Sequence, residues 1–212
     1  ADGHPFGAVT RRTGERFGFI RTARLENTGA TRRTIDLLDG LGNLNPTGVD
    51  QTMNQTRGPL ADAYKLGECD AETRLGILAL NAEIVDRPDP AECLRATVAW
   101  QRGLDPSATL LTTDEVDRFG RGEPVEEAPF VRGRKLSYLT VSRVVLGPGE
   151  AIEWHVVADV DRGHAESAEL RRWLAGVDDE AATRAIEADV AEAASRLRAL
   201  IGGADGFQAS AA

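Results

Sequence analysis

Three histidines, His4, His155 and His164, are the side chains best suited to acid–base chemistry near neutral pH, but they form no recognisable catalytic motif. No HxH or HExxH pair offers metal ligands, and no Ser–His–Asp arrangement can be read from the order of the residues. His155 falls on the polar face of a predicted strand, and His164 at the start of a predicted helix. The sequence therefore predicts surface histidines, no catalytic residue, no metal site and no cofactor.

Two short segments resemble ligand-binding loops but lack the required spacing. Residues 159–163 begin like a calcium loop, yet its sixth and twelfth positions, which need Gly and Glu, hold His164 and Leu170. Residues 40–42 begin like a dinucleotide-binding turn, but no third glycine follows at the required distance. We therefore expect neither calcium nor nucleotide binding.

Glycoside hydrolysis needs two carboxylates roughly 5 to 10 Å apart, and the sequence does not show which carboxylates meet that condition.

Residues 39–59 are the strongest candidate for a binding loop. They are rich in Gly, Pro and Asn, and neither the helical nor the strand period persists through them. Long loops held by rigid strands often carry function. The candidate substrate-binding residues are Asp39, Asn43, Asn45 and Asn54. The simpler alternative is that this loop only covers one end of a sheet.

The composition excludes several classes of partner. The net charge of −9 repels the phosphate backbone of nucleic acids. No run approaches the roughly 20 apolar residues that a membrane-spanning helix needs. Cys69 and Cys93 are too few and too distant for a disulfide framework or a zinc site, although one disulfide stays open. We expect a cytoplasmic protein with two reduced thiols and with neither nucleic acid nor membrane as a partner.

The pattern of apolar residues predicts a mainly β fold. Residues 17–26 and 32–38 are predicted to pair as a hairpin around an Asn–Gly turn, and residues 73–85 to form a strand covered on both faces. Further strands are predicted at residues 94–100, 136–146 and 152–160, the last with one face in solvent, and a second loop at residues 118–129. Many strands without interleaved helices favour an antiparallel β-sandwich.

Helical spacing begins only after Gly163. Residues 165–174 predict a short helix, and Asp178 or Asp179 can cap a second one that ends near Ile201, before two glycines. Apolar side chains recur on one face of this second helix at Ile186, Val190, Ala193, Leu197 and Leu200. Such a stripe needs a partner, which is either the sandwich or a domain outside this chain.

Several segments resemble the N-terminal β-sandwich of cellobiose-phosphorylase-like and six-hairpin glycosidase-type proteins, the galactose-mutarotase-like supersandwich. The resemblance rests on residues 25–29, 35–49, 64–70, 94–100 and 146–150. In that family a helical linker follows the sandwich and leads to an (α/α)6 barrel that holds the general acid. The resemblance thus implies a sandwich at residues 1–163, a helical linker at residues 164–212, and no catalytic residue on this chain.

These observations favour a non-catalytic sandwich domain of a glycoside phosphorylase or hydrolase. Its expected partners are the helical catalytic domain of the same protein, a carbohydrate near residues 39–59, and a second copy of the chain. One alternative is an independent carbohydrate-binding module, which the low aromatic content of 5% weakens. Another is a stand-alone mutarotase-like epimerase, for which no acid–base pair is visible.

Overall fold

The computed structural model of the protein describes residues 6–82 and 93–209. Within these ranges ten strands and five helices follow one another along the chain. The strands are β1 (Phe6–Thr13), β2 (Phe19–Glu26), β3 (Arg33–Leu44), β4 (Lys65–Cys69), β5 (Gly76–Leu80), β6 (Arg95–Arg102), β7 (Pro106–Leu110), β8 (Phe130–Arg132), β9 (Leu136–Leu146) and β10 (Ala151–Gly163). The helices are α1 (Gln51–Thr56), α2 (Gly58–Tyr64), α3 (Val116–Gly120), α4 (His164–Gly176) and α5 (Asp179–Ala209).

The strands form two antiparallel sheets that pack face to face. The large sheet has the order β1-β2-β10-β6-β5-β4-β8, and the small sheet has the order β3-β9-β7. Apolar side chains from both sheets fill the space between them, among them Leu136 and Tyr138 from β9, Leu78 from β5 and Trp154 from β10. The mainly antiparallel, two-sheet architecture expected from the alternating pattern is confirmed.

Helices α4 and α5 cover the outer face of the large sheet and add a third layer. A second apolar cluster joins Phe17, Val98 and Trp100 on the sheet side to Leu174 of α4 and Ile186 of α5. Three aromatic rings meet in this cluster, because Trp173 of α4 lies 5.1 Å from Phe17 and 5.7 Å from Trp100 between ring centroids. The helices are therefore part of the folded unit.

The prediction that β10 has one face in solvent is wrong. Trp154 and Val156 face the small sheet, but His155 and Val157, on the other face, are 1% and 0% exposed. The reason is that α4 and α5 return across the large sheet and bury the middle of β10 from the other side. His155 is therefore a buried residue rather than a surface histidine.

The predicted hairpin of residues 17–26 and 32–38 is also wrong. Strand β2 pairs with β1 and β10, whereas β3 pairs with β9 in the other sheet. The Asn–Gly segment is instead a corner between the sheets. The buried side-chain amide of Asn27 donates to the carbonyl oxygens of Thr31 at 2.8 Å and of Leu146 and Gly147 at 3.0 Å each. These bonds tie the corner to the β9–β10 turn, which also links the two sheets.

Residues 39–59 are not one long loop. Strand β3 continues to Leu44, and α1 and α2 occupy most of the segment after Val49. Gly40 is a strand residue whose backbone lies so close to β9 that an added Cβ would stand 2.0 Å from the Tyr138 carbonyl oxygen. Glycine in a strand can mark such a close approach between two backbones. Because glycine is also common in loops, the sequence predicts a loop here instead of a strand.

The other predicted elements agree more closely with the structure. Residues 94–100 and 136–146 correspond to β6 and β9. The strand predicted at residues 73–85 is shorter, at Gly76–Leu80, and its part beyond residue 82, like the break predicted at residues 86–90, lies outside the described residues. The short helix α3 occupies the start of the loop predicted at residues 118–129.

The helical region begins where the sequence indicates. The last strand ends at Gly163 and α4 begins at His164. The Asp178 carboxylate accepts the backbone N–H of Ala181 at 2.7 Å and so caps the start of α5. The predicted end near Ile201 is wrong, because α5 continues through Gly202 and Gly203. Across the described ranges, every helix is either too short or too polar to span a lipid bilayer.

Candidate functional site

The four candidate substrate-binding residues do not converge on one point. Asp39 and Asn43 belong to β3, Asn45 follows it directly, and Asn54 lies in α1. The backbone N–H of Asn54 bonds to the Asp50 carbonyl oxygen at 3.0 Å, as part of that short helix. Their grouping on one long loop is therefore corrected, while their contact with a sugar stays a prediction.

Asp39 points into the interior of the sandwich. Its carboxylate pairs with Arg21 of β2 and accepts the indole N–H of Trp154 at 2.6 Å. The side chains of Arg21 and Asp39 are only 13% and 17% exposed. This arrangement joins the two sheets through a largely buried ion pair, which explains why an arginine interrupts the apolar face of β2.

Asn43 and Asn45 line a depression of about 620 Å³ between the end of β3 and the end of β10. Asn43 has a left-handed backbone with φ of 55°, at the irregularity where the pairing of β3 with β9 shifts. Asparagine tolerates this conformation better than most residues. The side-chain oxygen of Asn45 accepts a bond from the buried ammonium of Lys65 at 2.9 Å, which holds this residue in a fixed position.

The walls of this depression are largely apolar and its rim is polar. Phe19, Leu44 and Val49 contribute apolar surface, and Asp159 and Asp161 contribute carboxylates. The backbone N–H of Asp161 donates to Thr47 Oγ1 at 2.9 Å, so this bond connects β10 to the turn that follows β3. An apolar surface with a few fixed polar groups is the usual make-up of a small-molecule site.

A polar network that the sequence does not reveal lies under α5. Arg12 of β1 makes two bonds to the Glu187 carboxylate, at 2.6 and 2.7 Å, and a third to the Thr22 hydroxyl at 2.9 Å. Thr22 in turn lies 2.9 Å from Nδ1 of His155. The network runs from the surface of α5 to the buried imidazole, and only the antiparallel pairing of β1, β2 and β10 brings these residues together.

A second contact fixes α5 to the β1–β2 turn. The buried carboxylate of Asp189 accepts the backbone N–H groups of Glu15, Arg16 and Phe17, all at 3.0 Å. Successive N–H groups directed at one anion form a concave nest, and here a helix side chain occupies it. The fit is close, since a Cβ on Gly14 would stand 1.8 Å from Asp189 Oδ2.

The apolar stripe of α5 divides into two parts. Ile186 is fully buried against the large sheet, and Val190 packs beside it. The distal stripe, which we define as Leu197, Leu200 and Ile201, is 58%, 68% and 53% exposed, respectively. The sandwich therefore satisfies the first half of the stripe and leaves the distal stripe uncovered.

Ligands for a metal do not cluster in the part of the chain that the structure describes. Cys69 and Cys93 are both free. Burial raises the pKa of the Cys69 thiol to about 11, so this thiol is a poor nucleophile at neutral pH. No protein-family model and no curated protein matches the chain.

Proposed function

We propose that this chain is a non-catalytic sandwich domain of a carbohydrate-active enzyme, of the supersandwich type found in glycoside phosphorylases and hydrolases. In this proposal the distal stripe of α5 docks onto a helical catalytic domain of the same protein. The observation that carries the proposal is that stripe: three large apolar side chains, each more than half exposed, follow directly on a buried part of the same helix face. Contiguous exposed apolar surface is typical of an interaction site.

The depression at the ends of β3 and β10 supports a contact with sugar. Phe19 is a partly exposed aromatic ring that can stack on the apolar face of a pyranose. Asn43 and Asp161 can hydrogen-bond to its hydroxyl groups from the rim. On this proposal the sandwich helps to shape the sugar site, while the chemistry takes place on the helical domain.

The product of the complete reading frame provides the test. We expect the frame to encode a helical region after this domain, and its product to release sugar or sugar 1-phosphate from a panel of disaccharides, assayed with and without inorganic phosphate. The double substitution Leu197→Asp and Leu200→Asp places two charges in the distal stripe and should lower this activity at least tenfold. The double substitution Ser195→Asp and Ala199→Asp, which adds two charges at exposed positions outside the distal stripe, is the matched control.

Two outcomes would refute this function. One is a reading frame that encodes no helical domain, and the other is a full-length product that neither binds nor cleaves any glycoside in the panel.

A carbohydrate-binding module is the second candidate, because the depression around Phe19 exists without any partner domain. Calorimetric titration of the chain with oligosaccharides distinguishes the two. Binding at millimolar sugar by this chain alone, abolished by Phe19→Ala, favours the module.

A further inference from the structure

The hydrogen bonds around Thr22 favour one protonation state of His155. The Thr22 hydroxyl accepts an N–H from Arg12 and has one proton of its own to donate. Nδ1 of His155 lies 2.9 Å from the same oxygen. The arrangement is satisfied when the hydroxyl donates to an unprotonated Nδ1, which makes His155 the neutral tautomer with its proton on Nε2. If Nδ1 carried a proton, the Thr22 hydroxyl would have to accept hydrogen bonds from both Arg12 and His155. The proton of the hydroxyl would then no longer have Nδ1 as its acceptor.

The charges around the imidazole come from four elements. They are Glu153 on β10, Arg12 on β1, Arg102 opposite His155 on β6, and Glu187 and Asp179 on α5. Two of the three anions are engaged, because Glu187 is held by Arg12 and Asp179 lies 3.6 Å from Arg102, whereas Glu153 favours a positive charge on the imidazole. A positive charge on His155 would therefore arise near the Arg12 guanidinium, in a site that is 1% exposed.

We propose that His155 is a proton-sensitive latch, in which the neutral imidazole holds α5 against the large sheet and its protonation loosens the helix. The latch acts through the connection from His155 through Thr22 and Arg12 to Glu187, which is one of the polar links between the sheet and this part of the helix, beside that of Asp189. Opening of α5 would expose the imidazole to water, where it can accept a proton without penalty. This inference is independent of the proposed function.

The direction of the pH effect follows from burial. Desolvation lowers the pKa of His155, and Arg12 lowers it further, against the opposing influence of Glu153 and Glu187. The docked state thus binds a proton less readily than the open state, whose imidazole has the ordinary pKa of about 6.5. Docking is fully stable above that value and weakens as the pH falls from it towards the lowered pKa of the docked state. The hydrogen bond from Arg12 lowers the pKa of Glu187, so this carboxylate stays ionised through the same range.

Amide hydrogen exchange along α5, corrected for intrinsic exchange rates, tests the latch. Between pH 7.5 and 5.5 the opening constant of residues 182–190 should rise, by at most about tenfold for each pH unit below 6.5. The amides of β9, in the other sheet, should keep their protection. His155→Asn places an amide oxygen near the position of Nδ1, where it can accept the Thr22 hydroxyl but cannot be protonated, and should remove the pH dependence.

Titration of the wild-type imidazole by NMR gives an independent check that needs no variant. In the neutral state His155 should carry its proton only at Nε2, and it should titrate below the ordinary imidazole value of about 6.5. The latch is refuted if His155 titrates at or above the ordinary imidazole value of about 6.5. It is equally refuted if the protection of α5 falls by the same factor in the wild type and in His155→Asn, or does not fall at all.

Discussion

At the scale of single residues, the ion pair between Arg21 and Asp39 shows what can be predicted from the sequence and what cannot. Arg21 is visible in the sequence as the one charged residue on the apolar face of β2. Asp39 is equally visible, but as a member of a presumed loop. Nothing local connects them, because they belong to different sheets and meet only when the two sheets pack. The sequence thus identifies an anomaly but not its partner.

The buried pair predicts an asymmetry between two aspartates of β3. Asp39→Ala leaves the Arg21 guanidinium and the Trp154 N–H without their acceptor in a largely buried site, and we expect a loss of about 3–5 kcal/mol in the free energy of unfolding. Asp36→Ala removes a carboxylate from the exposed pair with Arg143 on the other face of the strand, and should leave the free energy of unfolding almost unchanged. Urea denaturation of both variants measures the difference.

The replacement of both charges supplies a control for the Asp39 experiment. Arg21→Met combined with Asp39→Leu removes the ion pair and leaves no unpaired charge, so much of the lost stability should return. Equal stability of Asp39→Ala and Asp36→Ala would show that the Asp39 carboxylate does not hold the sheets together.

At the scale of elements, α5 is the part whose existence the sequence predicts well and whose contacts it does not. The cap at Asp178 and the helical spacing of Ile186 and Val190 are local signals, and the structure confirms them. The helix α5 continues through Gly202 and Gly203, although two glycines usually indicate the end of a helix. Glycine lowers the stability of a helix, but here it does not end it. In the sequence, Asp189 looks like an ordinary polar residue of this helix. It is buried because it contacts the β1–β2 turn, which the helix sequence does not reveal.

The contact of Asp189 with that turn should account for much of the attachment of α5. Asp189→Ala deprives three backbone N–H groups of a charged acceptor, and we expect a loss of at least about 2 kcal/mol in the free energy of unfolding. Glu192→Ala, at an exposed position of the same helix, should change stability by less than about 0.5 kcal/mol. Thermal unfolding followed by circular dichroism compares the two, and an indistinguishable midpoint would rule out a structural role for the nest.

At the scale of the whole molecule, the sequence predicts the layers better than their connections. The Val, Leu, Thr and Tyr content of β9 and the period-two alternation in β10 indicate an antiparallel sandwich, and the change of period after Gly163 indicates helices. The pairing of β2 with β10, distant in sequence, and the burial of His155 depend on long-range packing that alternation cannot encode. The candidate site follows the same rule: Asn43 and Asn45 are near each other along the chain and share a depression, whereas Asp39 and Asn54 do not line it.

The distal stripe gives the most direct test of the central proposal. In this proposal the first half of α5 packs on the sandwich, and the second half docks onto a partner domain. Amide hydrogen exchange at residues 197–201 would be compared between this chain and the product of the complete reading frame. We expect rapid exchange in this chain and at least tenfold slower exchange in the full-length product, with residues 182–190 equally protected in both. Equal exchange of residues 197–201 in the two proteins would contradict the account.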